Sequence, residues 1–328
     1  MTRFVAVLVS SLLGLAAAPV FAEVPGESFV HVANIENISS AATYLEHPLL
    51  DGNPDAIALV TPNRTPSGVP GAVPDSDVGL FYSTGEARWS IYNEDGSDMP
   101  EGAAFNVFVP ANGSDAFVHT TTVGTVANNW STLDHAASND DPNALVFVTH
   151  VYAAGAIGEG DYHPESLGVW YTGAERWAIF NQTTTVAMPV GLDFHVFVAP
   201  DDENAFVHFA EADNVSDDST FLDHPRANGD PDAILLVTQT WNPSGAALGI
   251  YNDRPVGVSY SAMEGRWGVF DADGASVPLG AAFNVVVLPE PVTGLGQAAA
   301  LTLLACLAGR RRAWRVSARA QHRPALHS

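Results

Sequence analysis

Six histidines fall into three pairs whose members stand at one fixed separation. The members of each pair are 16 residues apart in the sequence, and the pairs are His31 with His47, His119 with His135, and His208 with His224. If the segment between them folds back as an antiparallel pairing, the two imidazoles face each other. Joined by a carboxylate, such a pair could hold Zn²⁺ or Cu²⁺. The alternative is that these histidines are hydrogen-bonded into a core or a turn.

A short acidic loop follows the second histidine of each pair. Asx residues recur in it at the first, third and fifth positions, as at the start of a calcium loop. The glycine and glutamate that complete an EF-hand loop are missing, and an Asx-Pro turn explains the same residues without an ion. No cofactor is firmly indicated, and calcium is a candidate ligand of Asp51, Asn53, Asp55, Asp141, Asp230 and Asp232.

Arginine–tryptophan pairs also recur once in each copy of the pattern. They are Arg88-Trp89, Arg176-Trp177 and Arg266-Trp267. With a tyrosine on the partner strand, they could form a stacking platform for a sugar ring, or the tryptophans could build the core. Trp130, Trp170 and Trp241 do not recur at equivalent positions, which favours a role for them as copy-specific surface contacts.

These features are positioned by a threefold repeat. The second histidines His47, His135 and His224 are spaced 88 and 89 residues apart, and each copy opens on Phe-Val-His. The spacing predicts three tandem domains at 27–110, 116–200 and 205–288, joined by linkers of about five residues. We call them repeats 1, 2 and 3.

Period-two alternation of apolar residues dominates each repeat. It predicts buried strands at 56–61 and 233–238, and a hairpin of Val78–Tyr82 with Arg88–Asn93 that has counterparts in the other copies. The expected fold class is all-β, with three tandem antiparallel β-sandwich or barrel-like domains of about six strands each. A less economical alternative arranges the copies around one axis, as propeller blades are arranged.

The region between the two ends is strongly acidic. All 37 acidic residues but only six arginines lie between positions 23 and 290, so its net charge is near −31. Such a surface repels nucleic acid and anionic membranes. The only cysteine, Cys306, lies in the apolar tail, so the acidic region has neither a disulfide nor a thiol nucleophile.

The N-terminus has the pattern of a secretory signal peptide at 1–22. Arg3 precedes an apolar run, and Val20-Phe21-Ala22 offers a small-x-small cleavage site. The sequence therefore predicts export.

The C-terminus combines three features in order. Pro289-Glu290-Pro291 precedes an apolar stretch at 292–308, which is followed by Arg310, Arg311 and Arg312. The stretch is at the short limit for a membrane-spanning helix. Segment 289–312 resembles the PEP-CTERM sorting signal of Gram-negative bacteria, although a basic tail at 313–328 follows it. An ordinary C-terminal anchor is the alternative.

The resemblance implies a processing enzyme and a destination. Its partner would be an exosortase-type membrane enzyme, and many proteins with this signal are linked to exopolysaccharide and biofilm matrix. The chain would be anchored transiently in the inner membrane through 292–308 and would reach the cell envelope, the outer surface or the extracellular matrix. Separately, the hairpin of Gly168–Tyr171 with Arg176–Asn181 resembles an uncharacterised domain of secreted bacterial proteins.

The sequence lacks the common enzyme signatures, including the G-x-S-x-G, H-E-x-x-H, Walker and Rossmann patterns. We therefore expect a non-catalytic structural or adhesive protein with weak, multivalent binding of polysaccharide or cations, or of other surface proteins. The alternatives are a cell-surface glycan hydrolase and a metal-binding scaffold that uses the paired histidines.

Overall fold

The computed structural model describes residues 24–154 and 160–289. Each repeat contributes seven strands to this part of the chain. Those of repeat 1 are β1 (Gly26–Val32), β2 (Ile38–Ser39), β3 (Ala42–Tyr44), β4 (Leu59–Pro62), β5 (Val78–Ser83), β6 (Arg88–Asn93) and β7 (Ala104–Pro110). Those of repeat 2 are β8 (Ala116–Thr120), β9 (Val126–Ala127), β10 (Trp130–Thr132), β11 (Val146–Val151), β12 (Leu167–Tyr171), β13 (Trp177–Asn181) and β14 (Asp193–Val198). Those of repeat 3 are β15 (Ala205–Phe209), β16 (Val215–Ser216), β17 (Ser219–Phe221), β18 (Ile234–Thr240), β19 (Val256–Ser261), β20 (Arg266–Asp271) and β21 (Ala282–Leu288).

The strands of each repeat form two antiparallel groups. In repeat 1 the closing strand β7 lies between β1 and β4, and the remaining strands have the order β2-β3-β6-β5. The other two repeats follow the same plan. The closing strands are buried on both faces, which explains why they consist almost entirely of apolar residues and one amide or imidazole.

The two groups continue across the repeat boundaries. Strand β5 of repeat 1 pairs parallel with β11 of repeat 2, and β12 of repeat 2 pairs parallel with β18 of repeat 3. Each pairing creates a seven-stranded sheet that two repeats share. A parallel bridge between Asn63 and Val258 joins repeat 3 back to repeat 1. The three repeats therefore close into a ring, and we call the contacts the 1–2, 2–3 and 3–1 joints.

One equivalent backbone hydrogen bond stands at each joint. A backbone N–H one or two residues after β4, β11 or β18 donates to a carbonyl of the neighbouring hairpin, over 2.8–2.9 Å: Arg64 to Val258, Tyr152 to Leu80, and Trp241 to Val169. Because the backbone makes this bond, the side chain at the joint is free to differ among the copies.

The apolar core has three local parts and one shared part. Each repeat surrounds its own buried tryptophan, Trp89, Trp177 or Trp267. A fourth cluster draws on all three repeats and includes Phe108, Phe147, Phe197, Leu236 and Val286. This axial cluster lies where β4, β7 and their counterparts in the other two repeats meet.

Polar side chains at equivalent positions also link the repeats. The Asn106 amide donates to Leu235 O over 2.9 Å, and the Asn284 amide donates to Val146 O over 3.0 Å. In the second copy His195 replaces asparagine, and its Nδ1 lies 3.0 Å from the carbonyl oxygen of Ala58. The middle residue of the recurring Phe-Asn/His-Val motif therefore bonds a neighbouring repeat.

A ring of threonines lies beside these links. The hydroxyl oxygens of Thr149, Thr238 and Thr61 accept hydrogen bonds from backbone N–H groups of the preceding repeat in the ring, over 3.1–3.2 Å. These three hydroxyls thus pair backbone donors that the inter-repeat contact buries, as burial requires.

The predicted all-β class with three repeated domains is confirmed. Each repeat has seven strands where six were predicted, because a short hairpin follows the opening strand: β2-β3, β9-β10 or β16-β17. The expectation of separate sandwiches on short linkers omitted the shared sheets and the axial cluster.

Among the described residues, no helix has the length and apolar character needed to span a bilayer. The predicted signal peptide and most of the predicted sorting signal lie outside the described residues.

Candidate functional site

The first histidine of each pair is a buried structural residue. The Nε2 atoms of His31, His119 and His208 lie 2.7–2.8 Å from the hydroxyls of Thr43, Ser131 and Thr220, respectively. Desolvation by burial lowers the pKa of each imidazole to about 4. These side chains are therefore neutral near pH 7.

The second histidine of each pair has different neighbours. The rings of His47, His135 and His224 stack on Phe29, Phe117 and Phe206, with centroids 4.2–5.1 Å apart. The predicted face-to-face pairing does not form, because the opening strand pairs with the closing strand and His31 stands opposite Phe105. In the described part of the chain, no three acidic, histidine or cysteine side chains are grouped as a metal site would require.

The acidic loops are turns that support the core tryptophans. The indole N–H of Trp89 donates to the backbone carbonyl of Asn53 over 2.8 Å, and Asp141 and Asp230 receive the same bond in the other copies. Asp141 and Asp230 also accept backbone N–H bonds two residues on, as Asx turns do. Asp51 accepts from the backbone N–H of His47, whereas Asp55 and Asp232 are exposed.

The recurring arginine–tryptophan pairs do not form a platform. Trp89, Trp177 and Trp267 are at most 1% exposed, so their ring faces are inaccessible to a ligand. Arg176 bonds Asp140 over 3.0 Å, and Arg88 and Arg266 lie partly exposed at the start of their strands. The core interpretation of these tryptophans therefore holds.

The tryptophans that do not recur meet at the 2–3 joint. The ring centroids of Trp130 and Trp170 are 5.4 Å apart, and those of Trp170 and Trp241 are 6.2 Å apart, with both pairs close to perpendicular. Tyr251 packs 5.6 Å from Trp241 and is 46% exposed. With Phe180 and Asn129 they line a cavity of about 240 Å³, which we call the aromatic groove.

Two glycines make room for these rings. A Cβ at Gly168 would come within 2.7 Å of the Phe180 ring, which lies across from it in the hairpin. A Cβ at Gly249 would come within 1.6 Å of the Trp241 carbonyl oxygen. The backbone at Gly249 therefore packs directly on the joint and helps to place Tyr251 over it.

A second depression adjoins the aromatic groove. Trp170 and Trp241 line both, and the second holds about 540 Å³ with Glu175, Thr172 and Ser244 on its walls. We call it the side depression. The two depressions therefore share a tryptophan wall, and only the side depression has a carboxylate on its lining.

The other two joints place different side chains at the same positions. At the 3–1 joint, Arg64 takes the place of Trp241, lies 3.6 Å above the Phe270 ring and bonds Asp218 over 2.8 Å. At the 1–2 joint, Tyr152 takes that place and packs with Tyr92 and Tyr162. The three joints thus share a backbone plan while presenting different chemistry.

A buried acid–imidazole cluster connects repeats 1 and 2. Glu94 and His150 are each 2% exposed, with His150 Nδ1 2.5 Å from Glu94 Oε1. The Tyr92 hydroxyl donates to the same oxygen over 2.9 Å, and the backbone N–H of His163 donates to the other over 2.9 Å. His150 Nε2 has no hydrogen-bond partner among the described residues.

This cluster lines an axial cavity of about 80 Å³ between the three repeats. Desolvation raises the pKa of Asp77, on the same cavity, to about 7, and the neighbouring Glu94 carboxylate adds to the effect. The cavity has room for a few water molecules only. Sequence reasoning missed the cluster because neither Glu94 nor His150 recurs in the other copies.

The comparisons with known proteins place the chain in a family. A domain of unknown function (DUF7452) matches three overlapping segments, 19–86, 79–187 and 172–287. The chain belongs to this family. No curated protein and no solved structure matches it. Membership in DUF7452 accounts for the three repeats and brings no activity with it.

Proposed function

We propose that this chain is an exported, non-catalytic protein of the cell envelope or extracellular matrix that binds polysaccharide weakly through the aromatic groove. The observation that carries the proposal is the clustering of Trp130, Trp170, Trp241 and Tyr251 around one partly exposed cavity. The apolar CH face of a pyranose ring packs on such rings, while its hydroxyls need only a few polar partners.

The two adjoining depressions support a chain-like ligand. Successive sugar units would lie from the aromatic groove across Trp170 and Trp241 into the side depression. There the exposed Ser244 offers a hydroxyl to the sugar. The groove is built from copy-specific residues, so we propose one such site per chain, and multivalency would come from several chains along one polymer.

Export rests on the N-terminal pattern, and the destination rests on the resemblance of segment 289–312 to a sorting signal. Exosortase-type processing with transient anchoring through 292–308 belongs to the same proposal. Intact-mass analysis of the native protein tests it, because a mature chain that still ends at Ser328 would argue against processing.

Binding is tested by titrating neutral and charged oligosaccharides into the full chain and into matched variants. Tyr251→Ala and Tyr162→Ala remove tyrosines from equivalent positions, but only Tyr251 lines the aromatic groove. We expect Tyr251→Ala and Trp241→Ala to weaken glycan binding about tenfold. Tyr162→Ala should leave binding unchanged. Equal losses from Tyr251→Ala and Tyr162→Ala, or no binding by any glycan, would refute the proposal.

A further inference from the structure

We infer that the polysaccharide taken by the aromatic groove is an amine-bearing, cationic glycan of the glucosamine-polymer type. The inference rests on the proposed function and adds the chemical class of its ligand. It is carried by the lining of the two depressions and by the groove's counterpart at the 3–1 joint.

The lining favours positive charge on the ligand. The aromatic groove is formed by five aromatic rings and one amide, and Glu175 stands on the wall of the side depression. The next residue, Arg176, bonds the Asp140 carboxylate and the backbone carbonyl of Glu175. Its guanidinium is therefore engaged away from the Glu175 carboxylate.

The surroundings of the side depression are negative as well. Desolvation and the carboxylates of Glu175 and Asp140 raise the pKa of the Tyr171 hydroxyl on the same wall, and they outweigh the opposing Arg176 guanidinium. The region from 23 to 290 carries a net charge near −31. Approach of a uronate or sulfated polymer would be opposed at long range, and approach of a cationic polymer would be favoured.

At the 3–1 joint, a cationic side chain is bound at the position that corresponds to the aromatic groove. There the chain's own Arg64 guanidinium lies over Phe270, the counterpart of Phe180 in the aromatic groove. Asp218, the counterpart of Asn129, supplies the countercharge over 2.8 Å. At the 2–3 joint Trp241 stands in the position of Arg64, so the chain provides no cation of its own at that position and the rings border open space.

A glucosamine unit has groups that can bind both the aromatic groove and the side depression. Its ring CH groups pack on Trp170 or Trp241, and its ammonium group gains attraction from aromatic faces. An ammonium group in the side depression gains a charge-assisted hydrogen bond to Glu175. N-acetylation removes the charge and keeps the ring, which makes it the matched comparison.

The test is calorimetric titration of the full chain with hexamers of glucosamine, N-acetylglucosamine and mannuronate. Near 50 mM salt, we expect the glucosamine hexamer to bind about tenfold tighter than the N-acetylglucosamine hexamer. This ratio of the two affinities should shrink near 0.5 M salt, because salt screens the charges. Glu175→Gln should reduce the ratio. Glu264→Gln, in the corresponding hairpin turn of repeat 3, makes the same charge change away from the groove and should leave the ratio intact.

The outcomes separate the two proposals. Equal binding of the two amino-sugar hexamers, or a preference for mannuronate, overturns the inference while glycan binding stands. No binding by any hexamer overturns both. A ratio that falls equally in Glu175→Gln and Glu264→Gln also overturns the inference, because net charge alone would then explain it.

Discussion

At the scale of residues, the tryptophans have two roles, and the role of each depends on whether it is repeated in all three copies. Trp89, Trp177 and Trp267 recur and are buried, whereas Trp130 and Trp241 are specific to one copy and stay partly exposed. Comparing copies within one chain thus distinguishes residues that every copy needs for folding from those that only one joint uses.

This division predicts opposite effects of two substitutions. Trp177→Ala should lower the free energy of unfolding by about 3–5 kcal/mol, because it empties the core of repeat 2 and leaves the Asp141 carbonyl without its indole donor. Trp130→Ala should cost far less stability and should weaken glycan binding. Urea unfolding monitored by circular dichroism checks the first effect, and titration calorimetry checks the second. Similar stability losses in the two variants would contradict the assignment.

The buried histidines predict loss of stability in acid. His31, His119, His195 and His208 have pKa values of about 4, below the 6.5 of an exposed imidazole, chiefly because of burial. Between pH 6.5 and 4 the unfolded chain therefore binds more protons there, and stability falls as pH falls. Asp77 and Asp271, raised to about 7 and 6 chiefly by burial, oppose the trend over their own ranges. Because the four histidines outnumber the two aspartates, the net effect is a loss of stability as the pH falls.

His195→Asn tests this linkage at one position. Asparagine occupies the equivalent sites 106 and 284, so the inter-repeat bond can be kept while one titrating group is removed. We expect the slope of unfolding free energy against pH, measured by urea titration from pH 6.5 to 4, to fall by up to about 1.4 kcal/mol per pH unit. An unchanged slope would show that His195 does not contribute to the acid sensitivity.

At the scale of elements, the inter-repeat links make a specific prediction. Asn284→Ala removes the amide that bonds Val146 O and leaves that buried carbonyl unpaired. We expect a loss of about 1–3 kcal/mol in the free energy of unfolding. Asn112→Ala, in the exposed linker, is the control and should be neutral. Equal effects of the two changes would mean that the link at 284 carries no net stability.

Much of the element structure was predictable from the sequence. The hairpin strand β6 coincides with the predicted segment 88–93, and its counterparts form hairpins in the other two repeats, because their apolar alternation ends at clear turn residues. The joints were not predictable. They depend on backbone donors at Arg64, Tyr152 and Trp241, whose side chains share no pattern. Trp130, Trp170 and Trp241 were predicted one by one as surface contacts, but their meeting in the aromatic groove was not, since they are far apart in sequence and come together only when the ring closes.

At the scale of the whole molecule, the ring predicts that a single repeat does not fold as a monomer. A fragment of residues 116–200 would expose Phe147 and Phe197 from the axial cluster and would lose both cross-repeat strand pairings. We expect the full chain to unfold in one cooperative transition and the fragment to lack near-ultraviolet circular dichroism. A monomeric fragment with a dispersed NMR spectrum would contradict this expectation.

The backbone hydrogen bond at each joint has an evolutionary consequence. After a duplication, mutations at positions 64, 152 and 241 could alter the side chain without breaking the bond that holds the neighbouring copies together. One copy could then acquire an ion pair, another a tyrosine cluster and the third an aromatic groove, each on the same scaffold. Threefold redundancy in folding would thus have left room for divergence in recognition, and other members of the family are expected to differ most at these three positions.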